Sequence, residues 1–387
     1  MISRGMFILA IIIVGALAGG VGYYLGGALK PNTTPNGPVN VSLNGAGATF
    51  PYPLLSAMSL NYSRQYPNVL INYNSIGSGG GINALIQKTV DFAASDAPLT
   101  NTQRGQAPGS LHLPETIGAV VAAYNVPGIP TGLNMTGPVL AQIFQGNITN
   151  WNDPALQNIN PGVVLPNHAL TYVHRSDGSG TTNIWTKYLN STDPGTCPTC
   201  WRLGVGTSIG TWPGANLGAS GNAGVAGVVQ GTPYTIGYVE LNYALCPSRN
   251  AQGCTNVMSV AYVQNSASRF IKPSLTNVTY AVANATSTLS LPAGDASWGS
   301  VSLLNAAGQN SYPVVSFTYI LVYKELNVVP DLNSDSAKAL VDFLWWVVHQ
   351  GQGLSSGLFY VPLPQSVVTV DEATIRSITF NGTILHP

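Results

Sequence analysis

Three times in this chain an apolar run of strand length breaks at a bend rich in glycine and hydroxyl groups, and helix-forming residues follow at once. The clearest case is Val173–Asn183 (Val-His-Arg-Ser-Asp-Gly-Ser-Gly-Thr-Thr-Asn), which follows the strand-like Leu170–Val173 and runs into the amphipathic Ile184–Leu189. The second is Ser75–Gly81, between Val69–Tyr73 and a stretch Ile82–Thr89 in which Ile82, Leu85 and Ile86 have helical spacing. The third is Gly45–Pro51, between Val41–Asn44 and Leu54–Tyr66, where Pro51 or Pro53 suits a first helical turn. Strand, bend and helix in repetition imply an α/β body with parallel strands, whose ligands sit beyond the carboxyl ends of those strands. Each bend also presents unpaired backbone N–H groups at the positive end of a helix, a seat for an anion. Ser179, Gly180 and Thr181 are expected at such a helix start, and Arg175 adds a planar fork of donors. One bend alone is an ordinary glycine-rich turn; three in one chain point to convergence on a single small anion.

The remaining elements follow in order. Thr89–Pro98 reads as a short buried strand ending in the acidic Asp96, with Asp91 structural, and Ile117–Asn125 as a continuous apolar strand. Val126-Pro127-Gly128 is a break at which the chain crosses to a second lobe. Helices are expected at Pro138–Phe144, Gly221–Val229 and Ser336–His349, and strands at Thr235–Val239 and Val314–Val322, the latter the return crossing. Trp345 and Trp346 read as core and rim aromatics. Leu241–Asn310 is rich in Ser, Thr and Asn, has little period and yields no assignment.

A chain of 387 residues exceeds the usual single-domain size, so two lobes are expected. Only 7% of residues are charged and the formal net charge is zero, against roughly 25% charged in typical usage. Without a basic run the chain has no electrostatic footprint for nucleic acid, and an anion site must work through local donors. Gly5–Leu29 is uncharged and mostly apolar between Arg4 and Lys30, long enough to cross a hydrocarbon layer of ~30 Å. It reads as an uncleaved anchor, with a removed signal segment as the alternative; either way the remainder faces outward. Pro31–Pro38 is a stiff polar tether.

Asn32, Asn40, Asn61, Asn134, Asn147, Asn190, Asn277, Asn284 and Asn381 begin Asn-x-Ser/Thr triplets, and glycans on some of them would solubilise a surface so poor in charge. Neutral polar surfaces also suit acid conditions, so an archaeal, acid-living source is expected. The four cysteines form two close pairs, Cys197 with Cys200 and Cys246 with Cys254, which read as two local disulfides, cross-pairing remaining open. A zinc site is the rival reading, but the second pair is too widely spaced for a zinc ribbon. No cofactor is implied.

Gly45–Pro51 (GAGATFP), Ser75–Gly81 (SIGSGGG), Thr89–Pro98 (TVDFAASDAP), Gly146–Pro154 (GNITNWNDP), Arg175–Thr182 (RSDGSGTT) and Thr235–Glu240 (TIGYVE) together resemble the periplasmic-type phosphate-binding protein of the phosphate ABC importer, in the same order from about Leu43 to Val367. The resemblance implies the two-lobed class II periplasmic-binding-protein fold, each lobe a mostly parallel sheet flanked by helices, with the ligand in the cleft. Segments 1–30 and 31–40 would then be anchor and linker, 41–124 with 317–387 the first lobe and 125–316 the second. The ligand set carried over is Thr49, Phe50, Ser78, Asp96, Arg175, Ser179, Gly180 and Thr181, with Asp177 bracing Arg175. The implied partners are inorganic phosphate and the separate permease and ATPase subunits of an importer, with the binding protein itself a monomer. The chain carries no phosphate-cradling ATPase loop of its own.

An ionised carboxylate beside an anion is repulsive unless the anion brings a proton, so Asp96 would select a protonated phosphate over sulfate. The rival readings are a binding protein for sulfate, molybdate or tungstate, and a secreted phosphatase-like enzyme. Gly206–Gly210 matches the G-x-S-x-G pattern but lacks a strand-to-helix setting and an evident His partner.

Overall fold

Val41–Gly47 (β1), Tyr52–Gln65 (α1), Val69–Ser75 (β2), Ser78–Gln87 (α2) and Phe92–Ser95 (β3) form the first α/β units. Both β2 and β3 pair parallel to β1. In this computed structural model, residues 41–193, 195, 199–250, 253–255 and 257–386 are described. The proposed anchor and tether lie outside the described residues. Pro51 and Pro53 open α1, which buries Leu54, Leu55, Met58 and Tyr62 on one face. Helix α2 starts at Ser78, four residues before the apolar spacing indicates, because Gly79, Gly80 and Gly81 supply its first turn without side chains to show a period.

A short helix, Asn101–Gln106 (α3), leads into Ser110–Asn125 (β4), which begins well before the apolar run at Ile117. His112, Glu115 and Thr116 break the sequence pattern, yet all three are buried. There follow Asn134–Met135 (β5), Gly137–Phe144 (α4), Pro154–Asn158 (α5), Thr171–Arg175 (β6), Gly180–Thr192 (α6), Asn216–Ala219 (β7), Gly221–Gly231 (α7) and Thr235–Glu240 (β8). The stretch that resisted reading holds Leu241–Leu245 (α8), the hairpin Ser248–Asn250 (β9) and Gly253–Thr255 (β10), the short strands Ser259–Val260 (β11), Tyr262–Gln264 (β12) and Phe270–Ile271 (β13), and Leu275–Thr286 (α9). Its strands of two or three residues are too short for alternation to register. Val315–Tyr323 (β14), Ser334–Val348 (α10) and Gln365–Arg376 (α11) follow.

These strands make a nine-stranded sheet in the order β2-β1-β3-β14-β4-β8-β6-β7, with β11 beside β4. At one end β2, β1 and β3 are parallel; at the other β8, β6 and β7 are parallel. Between them β4 and β14 run antiparallel to each other, and β4 continues past β14 to pair with β8 from Val120 to Asn125. Two α/β halves are thus joined by two long strands. Each half has its own aromatic core: Tyr62, Phe92, Phe343 and Trp346 in one, and Phe144, Tyr172, Trp185 and Tyr238 in the other. Trp346 is buried in the first core, while Trp345 lies half-exposed, stacked on His349.

Cys246 and Cys254 are disulfide-bonded across the β9–β10 hairpin. Of the other pair, Cys200 is buried and Cys197 lies outside the described residues. Among the described residues no helix is long and apolar enough to cross a membrane, and no cluster of three or more His, Cys, Asp or Glu is arranged to hold a metal ion. Asn147, Asn190, Asn284 and Asn381 of the glycosylation triplets are exposed, whereas the Asn134 amide donates inward to the Ile159 carbonyl.

Candidate functional site

All three glycine–hydroxyl bends meet between the halves. Gly79 N–H donates to the Gly178 carbonyl at 2.8 Å, joining the second bend to the third. A Cβ on Gly180 would stand 2.6 Å from Asp96 Cβ, Asp96 Oδ2 and Ser78 Oγ, so only glycine lets α6 close onto the opposite half. Gly77 is equally constrained: its φ is +83° and an added Cβ would lie 2.3 Å from Asp177 Oδ2. Thr49, Phe50, Ser78, Asp96, Arg175, Ser179 and Thr181 are all buried.

The hydroxyl groups have much of their accepting capacity filled from within the protein. A hydroxyl has one proton and two lone pairs. Thr49 Oγ1 accepts from both the backbone N–H (3.1 Å) and the side-chain amide (3.0 Å) of Asn222, which leaves its proton as the only unused capacity. Thr181 Oγ1 accepts from Arg175 Nη1 (3.3 Å) and Asn222 Nδ2 (3.1 Å), and donates to Asp96 Oδ2 at 3.4 Å. Ser78 Oγ accepts from the Asp96 N–H, and Ser179 Oγ caps α6 by accepting from the Thr182 N–H. Thr49 and Ser179 therefore keep their protons for another acceptor, while the hydroxyls of Thr181 and Ser78 face Asp96.

The first bend is held from behind by three tyrosines. Tyr73, Tyr243 and Tyr360 donate their hydroxyls to the carbonyls of Ala48 (2.9 Å), Thr49 (2.7 Å) and Phe50 (2.6 Å). Three consecutive carbonyls that would repel an anion are thereby committed elsewhere. The Phe50 ring packs on Gly118 and Tyr360, so its contribution to a ligand would come from the backbone.

Arg175 lies at the end of β6 and is clamped by Asp177, donating from Nε to Oδ1 (2.7 Å) and from Nη2 to Oδ2 (2.5 Å). Burial works to raise the Asp177 carboxyl, but the hydrogen bonds and charge of Arg175 hold it below the ordinary value. Gly221 N–H also donates to Asp177. The guanidinium is thus fixed in direction, its Nη1 facing Thr181.

Asp96, at the end of β3, is pushed up to about 7, mainly by burial, against the pull of Arg175 and of the hydroxyls of Thr318, Thr181 and Ser78. The Thr318 hydroxyl lies 3.1 Å from Asp96 Oδ1. The site is therefore a ring of donors with a single buried carboxyl acceptor.

Asn222, Thr318 and the three tyrosines belong to no motif recognised in the sequence. Asn222 is fully buried and links both halves, accepting from the Glu240 N–H at 2.9 Å as well. Its one sequence signal is a polar residue straight after a glycine at a helix start. His174 beside the third bend is occupied structurally, bonded to Asn216 and stacked on Trp212. Asp91, just before β3, accepts from the Asn44 N–H in the middle of β1, a structural bond between the two strands.

Residues 32–346 match the family model described as the PBP superfamily domain. The phosphate-binding protein PstS of Xylella fastidiosa is 40% identical over 337 residues, covering 86% of this chain and 85% of that protein. The phosphate-binding protein PstS of Methanocaldococcus jannaschii is 34% identical over 384 residues, covering 95% and 93%. The solved phosphate-binding protein from Stenotrophomonas maltophilia superposes with a TM-score of 0.65 at 19% identity, over 86% of this chain and 93% of that one, a likeness of fold. On the extent of these matches, the chain belongs to the PstS family of periplasmic-type phosphate-binding proteins, within the PBP superfamily.

Proposed function

We propose that this protein captures inorganic phosphate outside the cytoplasm and delivers it to an ABC importer, acting as a binding protein and not as an enzyme. The observation that carries the reading is the donor ring with one acceptor. Thr49, Ser78, Ser179 and Thr181 offer hydroxyl groups, Arg175 offers a directed guanidinium, Phe50 and Gly180 offer backbone groups, and Asp177 braces the arginine. Monohydrogen phosphate fits such a ring: its bare oxygens accept, and its one hydroxyl donates to Asp96. Fully ionised sulfate has no proton for Asp96, and the resulting contact between two acceptors is repulsive.

The lobes are assigned as 41–124 with 317–387, and 125–316. Support comes from β4 and β14, which connect the two parallel ends of the sheet and are placed to act as a hinge. A ligand touching both halves stabilises the closed arrangement, the form a permease would read. The ATPase and permease are separate subunits, the binding protein is a monomer, and the apolar segment Gly5–Leu29 with its tether holds it to the membrane. Titration calorimetry with phosphate, repeated in the presence of sulfate and molybdate, tests the ligand. Absence of phosphate heat, or displacement by sulfate well above the Asp96 midpoint, would overturn it. Sequencing the N-terminus of the membrane-extracted protein tests the anchor: loss of residues 1–30 would mean a removed signal segment.

A further inference from the structure

Behind Asp96 lies a second buried carboxyl that the binding reading does not use. Glu115 sits in β4 at an irregularity of the ladder: Thr318 pairs with Thr116 and Tyr319 with Pro114, so Glu115 has no partner of its own. Bulges of this kind re-aim a side chain, and Pro114, which lacks an N–H, favours one here. The bulged Glu115 carbonyl is taken by the Gln352 side-chain amide at 2.9 Å. Its carboxyl reaches the Thr318 hydroxyl, with Oε1 at 3.3 Å, and the same hydroxyl faces Asp96 Oδ1 at 3.1 Å. Both carboxyls are buried.

Thr318 has one proton and stands between two carboxyls. If it donates to one, the other must itself be protonated and donate to Thr318, or two lone pairs oppose each other. The surroundings decide which. Asp96 is faced by the Arg175 charge and by the hydroxyls of Thr181 and Ser78. Glu115 has Thr318 and the repulsion of Asp96. The other titratable groups near the pair, Tyr73, Tyr243, Tyr360 and Glu240, carry no positive charge to favour ionised Glu115.

We propose that Glu115 is a positioning residue that holds a proton and, through Thr318, fixes Asp96 as an ionised acceptor, so that the demand for a proton on the ligand is set from behind the site. The order of protonation runs from Glu115 O–H to Thr318 Oγ1, and from Thr318 O–H to Asp96 Oδ1. Burial, followed by the nearby Asp96 charge, pushes Glu115 up to about 8. Above that value Glu115 ionises, competes for the Thr318 proton and adds a negative charge behind Asp96, and phosphate binding weakens.

The inference rests on the phosphate reading, and the test separates the two. Phosphate dissociation constants are measured by calorimetry from below to above the Glu115 midpoint for the wild type, Glu115→Gln and Glu115→Leu. The wild-type constant should rise about tenfold across the range, the change expected of one coupled protonation shifted by about a unit. Glu115→Gln, whose amide donates to Thr318 at every pH, should lose that alkaline rise; Glu115→Leu should bind several-fold more weakly than Glu115→Gln throughout. Coinciding pH curves for wild type and Glu115→Gln would overturn the role of Glu115 while leaving phosphate binding standing, whereas no phosphate heat from the wild type at any pH would overturn both. Should neither variant fold, wild-type infrared spectra decide: a protonated-carboxyl band vanishing with a midpoint near about 8 supports the inference, and its absence overturns it.

Discussion

The two walls of the cleft are built on opposite electrostatic plans. On one, Arg175 is clamped by Asp177 and sits beside the start of α6, a wall of positive character with its charge held in one direction. On the other, Asp96 is buried among hydroxyls at the end of β3, with a second carboxyl behind it. A site meant only to attract anions would place cations on both sides. On the proposed phosphate reading, the contrast assigns attraction to the arginine wall and discrimination to the aspartate wall.

The largest test of that division is Arg175→Ala, which should weaken phosphate by roughly 2–5 kcal/mol, the range for truncating one partner of a buried charged pair. Unchanged affinity in calorimetry would remove attraction from this wall. Asp96→Asn comes next. Phosphate should still bind, since an amide can face its hydroxyl, while sulfate gains on the order of 10²–10³-fold; if radiolabelled phosphate remains undisplaced by sulfate, discrimination lies elsewhere.

Gly180→Ala sharpens the comparison by wedging the walls apart. Its Cβ meets Asp96 and Ser78 at 2.6 Å, and such overpacking costs about 1–3 kcal/mol. The loss should appear in phosphate affinity and in a larger radius by small-angle scattering with phosphate present. Acidification gives a milder version of the Asp96 change. The Asp96 carboxyl is raised to about 7, so it gains a proton as pH falls through that value and can then donate to sulfate. Sulfate competition should therefore fall by up to about tenfold per pH unit above the midpoint and level off below it; a flat profile would mean Asp96 stays ionised in acid. The smallest effect is expected of Thr49→Val, which removes one outward donor and should weaken phosphate by about 1 kcal/mol.

The parallel α/β halves, the helix starts at Ser179 and near Ser78, and the carboxylate at Asp96 were legible because each is written in contiguous residues. A bend followed by a helix is a local event, governed by glycine, proline and hydroxyl chemistry within one or two turns. Helix α2 shows the limit of that legibility, since glycine carries no period and the helix begins before the pattern does. Strand β4 shows another: His112, Glu115 and Thr116 are polar but buried, each bonded to a part of the chain outside the strand.

The sequence by itself determined the fold class, the three bends and, through their order, the family. Tertiary structure alone decided which donors and acceptors of the site are taken up within the protein and which are left for a ligand. That choice belongs to Asn222, Thr318, Tyr73, Tyr243 and Tyr360, most of them far along the chain from the groups they orient. A hydroxyl is donor or acceptor according to what fills its lone pairs, and those neighbours exist only once the two halves have closed.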